Sequence, residues 1–164
     1  MFELFFPDED YESTYKIDFQ KYYNEGYRAV IFDIDNTLVP HDAPADDRAV
    51  ALFKNLKDIG FNCMLLSNNK EPRVKKFNDA VGASYIYKAN KPFKSGYIEA
   101  MKRLGSCEEN TLFVGDQLFT DVWGAKRVGI RSLLVKPIDP KEEIQIVLKR
   151  YLEKIVLHYY KKSK

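Results

Sequence analysis

Cysteine is scarce in this chain: Cys63 and Cys107 are the only two. Such a pair makes no disulfide framework, so the sequence reads as that of a protein kept in a reducing compartment. Neither cysteine belongs to a Cys-x-x-Cys pair, and with only His41 and His158 there is no Cys/His cluster of the spacing that holds zinc. Long apolar runs are missing too, none approaching the ~20 residues that a bilayer span requires. The opening Met1-Phe2-Glu3-Leu4-Phe5-Phe6-Pro7 lacks the basic region and the length of a secretory signal. No Gly-x-Gly-x-x-Gly follows a candidate strand, which argues against a dinucleotide. Net charge is only +2, and the eleven tyrosines are scattered without the basic interleaving of a nucleic-acid groove. There is no internal repeat and no low-complexity segment. These absences lead us to expect a cytoplasmic protein without stable nucleic-acid binding.

What is present is enough for one domain spanning 1–164, since 164 residues that are 45% hydrophobic can bury a substantial core. Charge is unevenly placed. Residues 1–26 carry seven acids against two bases, and residues 136–164 carry eight bases against four acids. The two ends are therefore expected to attract each other, or the tail to meet an anionic surface.

Periodicity gives an alternating pattern. A helical arm is expected within 1–26, its helix over 14–25 stopping at Gly26. Strands are expected over 28–33, 61–67, 83–87, 111–114 and 130–135. Amphipathic helices are expected over 45–59, 71–80, 93–104 and 119–127, with stops at Gly60 and Gly105, and a last one from about 140 to 160. Strands alternating with helices predict an α/β fold, a three-layer Rossmann-like parallel sheet with helices on both faces and a core of about 27–136.

The chemistry clusters at the ends of these strands, the edge where open α/β sheets bind ligands. The run Ala29-Val30-Ile31-Phe32 leads straight into Asp33-Ile34-Asp35-Asn36-Thr37-Leu38-Val39. Two carboxylates at this spacing suit phosphate chemistry. One can attack phosphorus once a cation neutralises the site, and the other can give and take the proton of the leaving oxygen and the water. Ser67, followed by Asn68 and Asn69, ends the second strand; its hydroxyl suits either a phosphoryl oxygen or a helix cap. Lys88, Lys91 and Lys94 follow the third strand, and any of them could offset phosphoryl charge. Gly115-Asp116-Gln117-Leu118-Phe119-Thr120-Asp121 follows the fourth, with two acids five apart that suit a hard, oxygen-seeking cation such as Mg²⁺.

Taken together, D-x-D-x-T-L-V, Ser-Asn-Asn, Ala-Asn-Lys-Pro and Gly-Asp-Gln-x-x-Thr-Asp resemble the haloacid dehalogenase (HAD) superfamily of aspartyl phosphatases, in order and over about residues 27–136. The resemblance implies Asp33 as nucleophile and Asp35 as general acid and base. It selects Lys91 among the three lysines and adds Ser67 to the catalytic group. It implies Thr37, Ser67, Asn68 and Lys91 as substrate-binding groups. The expected Mg²⁺ ligands are Asp33, Asp116 and the Asp35 carbonyl, with Asp121 acting through water or by orienting Lys91. An acid at position 35 favours phosphatase over phosphonatase or P-type ATPase chemistry.

The short connections after Asp35 and Ser67 hold no cap domain, so an open site is expected, unless an oligomeric partner covers it. The resemblance implies for an open site a large substrate such as a phosphoprotein, a polynucleotide end or a lipid headgroup. The strings most resemble subfamily IIIA and its bacterial YqeG-like group, whose mitochondrial relatives dephosphorylate phosphatidylglycerophosphate. The resemblance thus implies a phosphorylated lipid or macromolecule as partner. In the last helix Ile144, Leu148, Tyr151, Ile155 and Tyr159 share a face. That stripe is expected to pack on the sheet, the alternative being peripheral contact with an anionic membrane.

Overall fold

The apolar runs become buried strands, and pairing in a sheet satisfies their backbone groups away from water. The computed structural model describes residues 2–139 and 144–164. In chain order the elements are β1 (Glu9–Tyr11), α1 (Phe19–Asn24), β2 (Ala29–Phe32), α2 (Asp47–Ile59), β3 (Asn62–Leu66) and α3 (Glu71–Val81). There follow β4 (Ser84–Ile86), α4 (Lys94–Leu104), β5 (Thr111–Gly115), α5 (Trp123–Arg127), β6 (Arg131–Val135) and α6 (Ile144–Lys162). The strands form one sheet in the order β1-β6-β5-β2-β3-β4, with every neighbouring pair parallel.

Successive strand residues point to opposite faces, and the core divides accordingly. Val30 and Phe32 of β2, Leu65 of β3, and Leu112 and Val114 of β5 meet Phe53 and Leu56 of α2 and Val74 and Phe77 of α3. Ile31, Met64 and Phe113 point the other way, onto Tyr97, Ala100 and Met101 of α4 and Ala125 of α5. This is the three-layer Rossmann-like fold that the alternation implied. Its consequence for chemistry is geometric. Because the strands are parallel, the carboxyl ends of β2, β3 and β5 lie on one edge.

Three expectations need correction. The arm at 1–26 is not wholly helical: β1 pairs with β6 (Glu9 opposite Leu133), making a sixth strand, and the helix expected over 14–25 is a short 3₁₀ turn, Thr14–Lys16, followed by α1. An acidic triplet shows no strand periodicity, and the pairing is made by distant partners. The Asp8 carboxylate accepts from Ser132 N at 2.8 Å, and Glu9 pairs with Arg131. Charge on an edge strand also discourages pairing with another chain. The attraction between the two ends is visible here as well, in the Glu12–Lys136 pair at 2.8 Å and the Asp10–Lys164 pair at 3.2 Å.

The second correction is at 119–127, where the backbone opens into a π-helical turn over Leu118–Val122 before α5 begins. The third concerns α6. Its expected beginning at 140–143, and the side chain of Ile144, lie outside the described residues. The rest of the proposed inward stripe faces out: Leu148 and Tyr151 are each 65% exposed. The buried face carries Glu153, Val156 and Tyr160 instead. The reason is polar. Glu153 accepts from Leu118 N at 2.9 Å, and Arg150 donates to the Asp116 carbonyl at 2.6 Å, so this face turns inward to satisfy groups already buried. No helix among the described residues is long and apolar enough to cross a membrane.

The β1 edge yields a stability prediction. Burial pushes Glu9 up, but hydrogen bonds from Tyr22 and Arg131 outweigh it and bring its pKa from 4.5 down to about 2. A depressed carboxylate stabilises the fold above its unfolded pKa, and that contribution disappears as pH falls through the folded one. Glu9→Gln is therefore expected to cost about 1–2 kcal/mol near neutrality. Melting curves should show a deficit of about 3–6 °C at pH 7 that closes between about pH 5 and pH 2. A deficit that is constant over that range would remove Glu9 as its source.

Candidate active site

Asp33 stands one residue beyond β2, where its N–H still donates to Val114 O at 3.0 Å and so extends the sheet ladder. The chain then turns tightly. Thr37 N and Leu38 N both donate to Ile34 O, at 3.1 and 2.9 Å, and Asn36 takes a left-handed φ of 61°. Ile34, Leu38 and Val39 are fully buried and anchor this turn from beneath. Apolar residues interleaved with acids thus fix the acids' positions.

Lys91 is the charge centre. Its side chain is 3% exposed, and its ammonium donates to Asp33 Oδ1 and to Asp121 Oδ1, each at 2.8 Å. Burial disfavours its charge, but Asp121 and Asp33 outweigh that and raise its pKa, so the lysine remains protonated. The neighbouring lysines, Lys88 and Lys94, are exposed. Burial raises Asp33 to about 6, with Lys91 pulling the other way. Asp116 is raised too, by burial first and then by the like charges of Asp33 and Asp121.

The three acids, all buried, present ligand oxygens within 4.8 Å of one another. Their donor set is all carboxylate, and its three negative charges face only two cations, Lys91 and Arg150, which leaves the oxygen-rich environment that a hard divalent ion prefers. The residues present therefore fit Mg²⁺. Gly115 makes the approach possible: a Cβ there would lie 2.5 Å from the Asp121 carboxylate. The π-turn carries Asp121 back toward the strand end, where Gln117 N donates to its Oδ2 at 3.2 Å. Tyr97 locks the turn by donating to Thr120 O at 2.8 Å. π-turns inside helices often mark such sites.

Asp35 faces a different environment. Its carboxylate accepts from Arg73 at 2.8 Å, from Asn69 Nδ2 at 2.6 Å and from Asp42 N at 2.7 Å. Burial works against the charge, but Arg73 and the Asp42 N–H outweigh it and hold Asp35 below the usual carboxylate range. His41 Nδ1 lies 3.9 Å away. Ser67 is fully buried, and its Oγ accepts from Asn69 N and Nδ2, each at 3.1 Å, so its own proton is left to donate elsewhere.

All eight residues singled out from the sequence reach this edge. Asn68, expected to contact substrate, has its side-chain amide engaged with the backbone of Lys91, accepting from Lys91 N at 2.7 Å and donating to Lys91 O at 3.1 Å. Thr37, expected in the same role, is 1% exposed and bridges two acids, 3.0 Å from Asp116 Oδ1 and 3.4 Å from Asp33 Oδ2.

Four contributors escaped the sequence reading: Asn69, Arg73, Arg150 and Glu153. Asn69 was visible in Ser-Asn-Asn. Arg73 sits in the first turn of α3, one helical turn past Asn69, a spacing that could have flagged it. Arg150 lies 34 residues beyond Asp116, whose Oδ2 it pairs with, and no local signal announces such a contact.

Comparison with known proteins gives three findings. The haloacid dehalogenase-like hydrolase family matches residues 39–129. The Probable phosphatase YqeG of Bacillus subtilis (strain 168) is 34% identical over 162 residues, which cover 98% of this chain and 94% of that protein. Phosphatidylglycerophosphate phosphatase 1, chloroplastic/mitochondrial, of Arabidopsis thaliana is 27% identical, with 84% of this chain matched to 45% of its own length. In fold, the crystal structure of a HAD phosphatase from Thermococcus onnurineus superposes with a TM-score of 0.59 at 16% identity, over 71% of this chain and 89% of that one.

Proposed function

Because this chain belongs to the haloacid dehalogenase-like hydrolase family and is a phosphatase of that kind, we propose that it hydrolyses a phosphomonoester through Asp33, with Mg²⁺, and that its substrate is phosphatidylglycerophosphate or a close phospholipid relative. The observation that carries the reading is the Asp33 carboxylate itself. It is buried, held at 2.8 Å by Lys91, and grouped with Asp116 and Asp121 at an edge that no cap covers among the described residues.

In this reading an Asp33 oxygen attacks phosphorus, the bond from phosphorus to the ester oxygen breaks, and an aspartyl-phosphate forms. Asp35, once protonated, gives its proton to the leaving oxygen. It then takes a proton from water, whose oxygen attacks phosphorus and releases inorganic phosphate and the free Asp33 carboxylate. The carboxylate form that Arg73, Asn69 and the Asp42 N–H favour is the one this second half needs. Lys91 and the Ser67 hydroxyl receive phosphoryl oxygens as charge builds on them. Asp33, Asp116 and the Asp35 carbonyl would hold Mg²⁺, with Asp121 joined through water, and the ion supplies positive charge to the phosphoryl group. The lipid assignment is supported by the Arabidopsis relative's name and by the uncapped edge, which leaves room for a headgroup attached to a membrane.

Phosphate release from phosphatidylglycerophosphate, a phosphopeptide, a sugar phosphate and a 5′-phosphorylated oligonucleotide tests both parts. We expect the lipid to be preferred by at least about tenfold in kcat/KM. Excess EDTA should abolish release, and added Mg²⁺ should restore it. Undiminished activity in EDTA overturns the metal reading, and preference for another substrate overturns the lipid one.

A further inference from the structure

The outward face of α6 stays largely exposed, with Tyr159 at one end in ring contact with Phe2, 5.3 Å between centroids, and its composition says what it would suit. Leu148, Tyr151, Leu152, Ile155 and Tyr159 are between 41% and 65% exposed and share one side of the helix. A helix of this length could have buried them, yet Glu153, Val156 and Tyr160 occupy the inner face. Soluble monomers rarely leave a contiguous apolar strip of this size in water. Along α6 itself the exposed charge has one sign, with Asp10 and Glu12 of the β1 edge beyond the cleft on its inner side. Lys149, Lys154, Lys161 and Lys162 are exposed, whereas the only acid between 147 and 162, Glu153, is buried against Arg150 and Leu118 N.

We propose that this face of α6 docks on an anionic lipid surface. Apolar side chains would enter the headgroup boundary while the lysines extend their ammonium groups to lipid phosphates, the arrangement of an interfacial helix. A protein partner of ordinary composition would not require every exposed charge on the face to be positive. The position of the helix also matters. Arg150, on the same helix, pairs with Asp116 Oδ2, so the docking face lies about one helix diameter, ~10 Å, from the catalytic edge. Between α6 and the β6 end of the sheet runs a cavity of about 690 Å³, lined by Tyr11, Val135 and Leu157 and by the charged Glu12, Arg150 and Lys154, and bordered by Asp116. A lipid surface held on α6 would thus lie beside a cleft of mixed character that borders one of the acids. The docking stands on α6 alone; only its bearing on substrate access rests on the function proposed above.

Cosedimentation of the full chain with vesicles is the test. Vesicles of phosphatidylcholine with 30 mol% phosphatidylglycerol, roughly the anionic content of a bacterial-type surface, should bind at least about tenfold more protein than phosphatidylcholine alone, and ~0.5 M salt should weaken the binding. Leu148→Ser with Ile155→Ser, and separately Lys154→Glu with Lys161→Glu and Lys162→Glu, should each reduce binding at least about tenfold. Both variants should keep the rate on a soluble aryl phosphate, which also reports that they fold. Equal binding to both vesicles, no binding to either, or a concentration-dependent dimer abolished by the same variants would overturn the docking. With aryl phosphate hydrolysis intact, those outcomes leave the catalytic reading standing; loss of docking and loss of Mg²⁺-dependent hydrolysis are separate results.

Discussion

Asp33→Asn should lower phosphate release by at least about 10⁴-fold while leaving the fold intact. The amide has nearly the carboxylate's shape, so the packing beneath it is unchanged. It cannot form the acyl phosphate, and no other side chain takes the same place against Lys91 and Thr37. Stability should hardly suffer, for an electrostatic reason. Asp33 shares a buried cluster with two further acids, and burial raises its pKa to about 6. Removing one charge from that cluster relieves repulsion while Lys91 keeps Asp121 at 2.8 Å. Initial rates on an aryl phosphate, together with thermal melts, check both halves. A residual rate within about tenfold of the parent would place the nucleophile elsewhere.

Lys91→Met should behave in the opposite way, losing both activity and stability. Two carboxylates would remain at a position only 3% exposed on the lysine side, with no cation between them. Removing one partner from a buried ionic group costs about 3–5 kcal/mol. For a chain of this size that is a fall of roughly 6–20 °C in Tm. Catalysis should fall by about 10²–10³-fold, the scale for loss of one preorganised positive group at a developing anion. Mg²⁺ should recover part of the lost stability, because a ligand of the folded state stabilises it by mass action. A Tm within 2 °C of the parent, measured by scanning calorimetry without divalent ions, roughly the resolution of a single buried contact, would show that Lys91 is not what holds the acids together.

The contrast between these variants shows what the sequence discloses and what it withholds. Lys91 and Asp121, five and six residues beyond β4 and β5, were selected by the family resemblance. Asp33, Asp35, Ser67 and Asp116 were readable because they stand just past an apolar run, and strand ends converge on one edge whenever the strands are parallel. The apolar periodicity of β2, β3 and β5 carried that information. β1 carried none: Glu9-Asp10-Tyr11 becomes a strand because β6, more than a hundred residues away, receives it, with Ser132 and Arg131 holding Asp8 and Glu9. Long side chains were also hidden. Spacing tells which turn of a helix Arg73 or Arg150 occupies, not how far its guanidinium reaches. The orientation of α6 was misread for a related reason. Hydrophobicity favoured burying Leu148 and Tyr151, but the buried polar groups Leu118 N–H and the Asp116 carbonyl required partners, and Glu153 and Arg150 provide them. Unsatisfied buried groups outweigh an apolar strip that can find another environment.

Arg150 gives the last helix a stake in the catalytic acids. Its guanidinium and any divalent ion seated among Asp33, Asp116 and Asp121 draw on the negative charge of one carboxylate, Asp116. Two positive occupants of one electrostatic well are antagonists, and thermodynamic reciprocity makes the antagonism mutual. With Mg²⁺ bound as proposed, whatever loosens the helix would tighten the hold on the ion, and filling the well with the ion would slacken the helix by the same free energy. The exposed helix and the proposed reaction centre would in that sense be two ends of one lever, with Asp116 as its fulcrum.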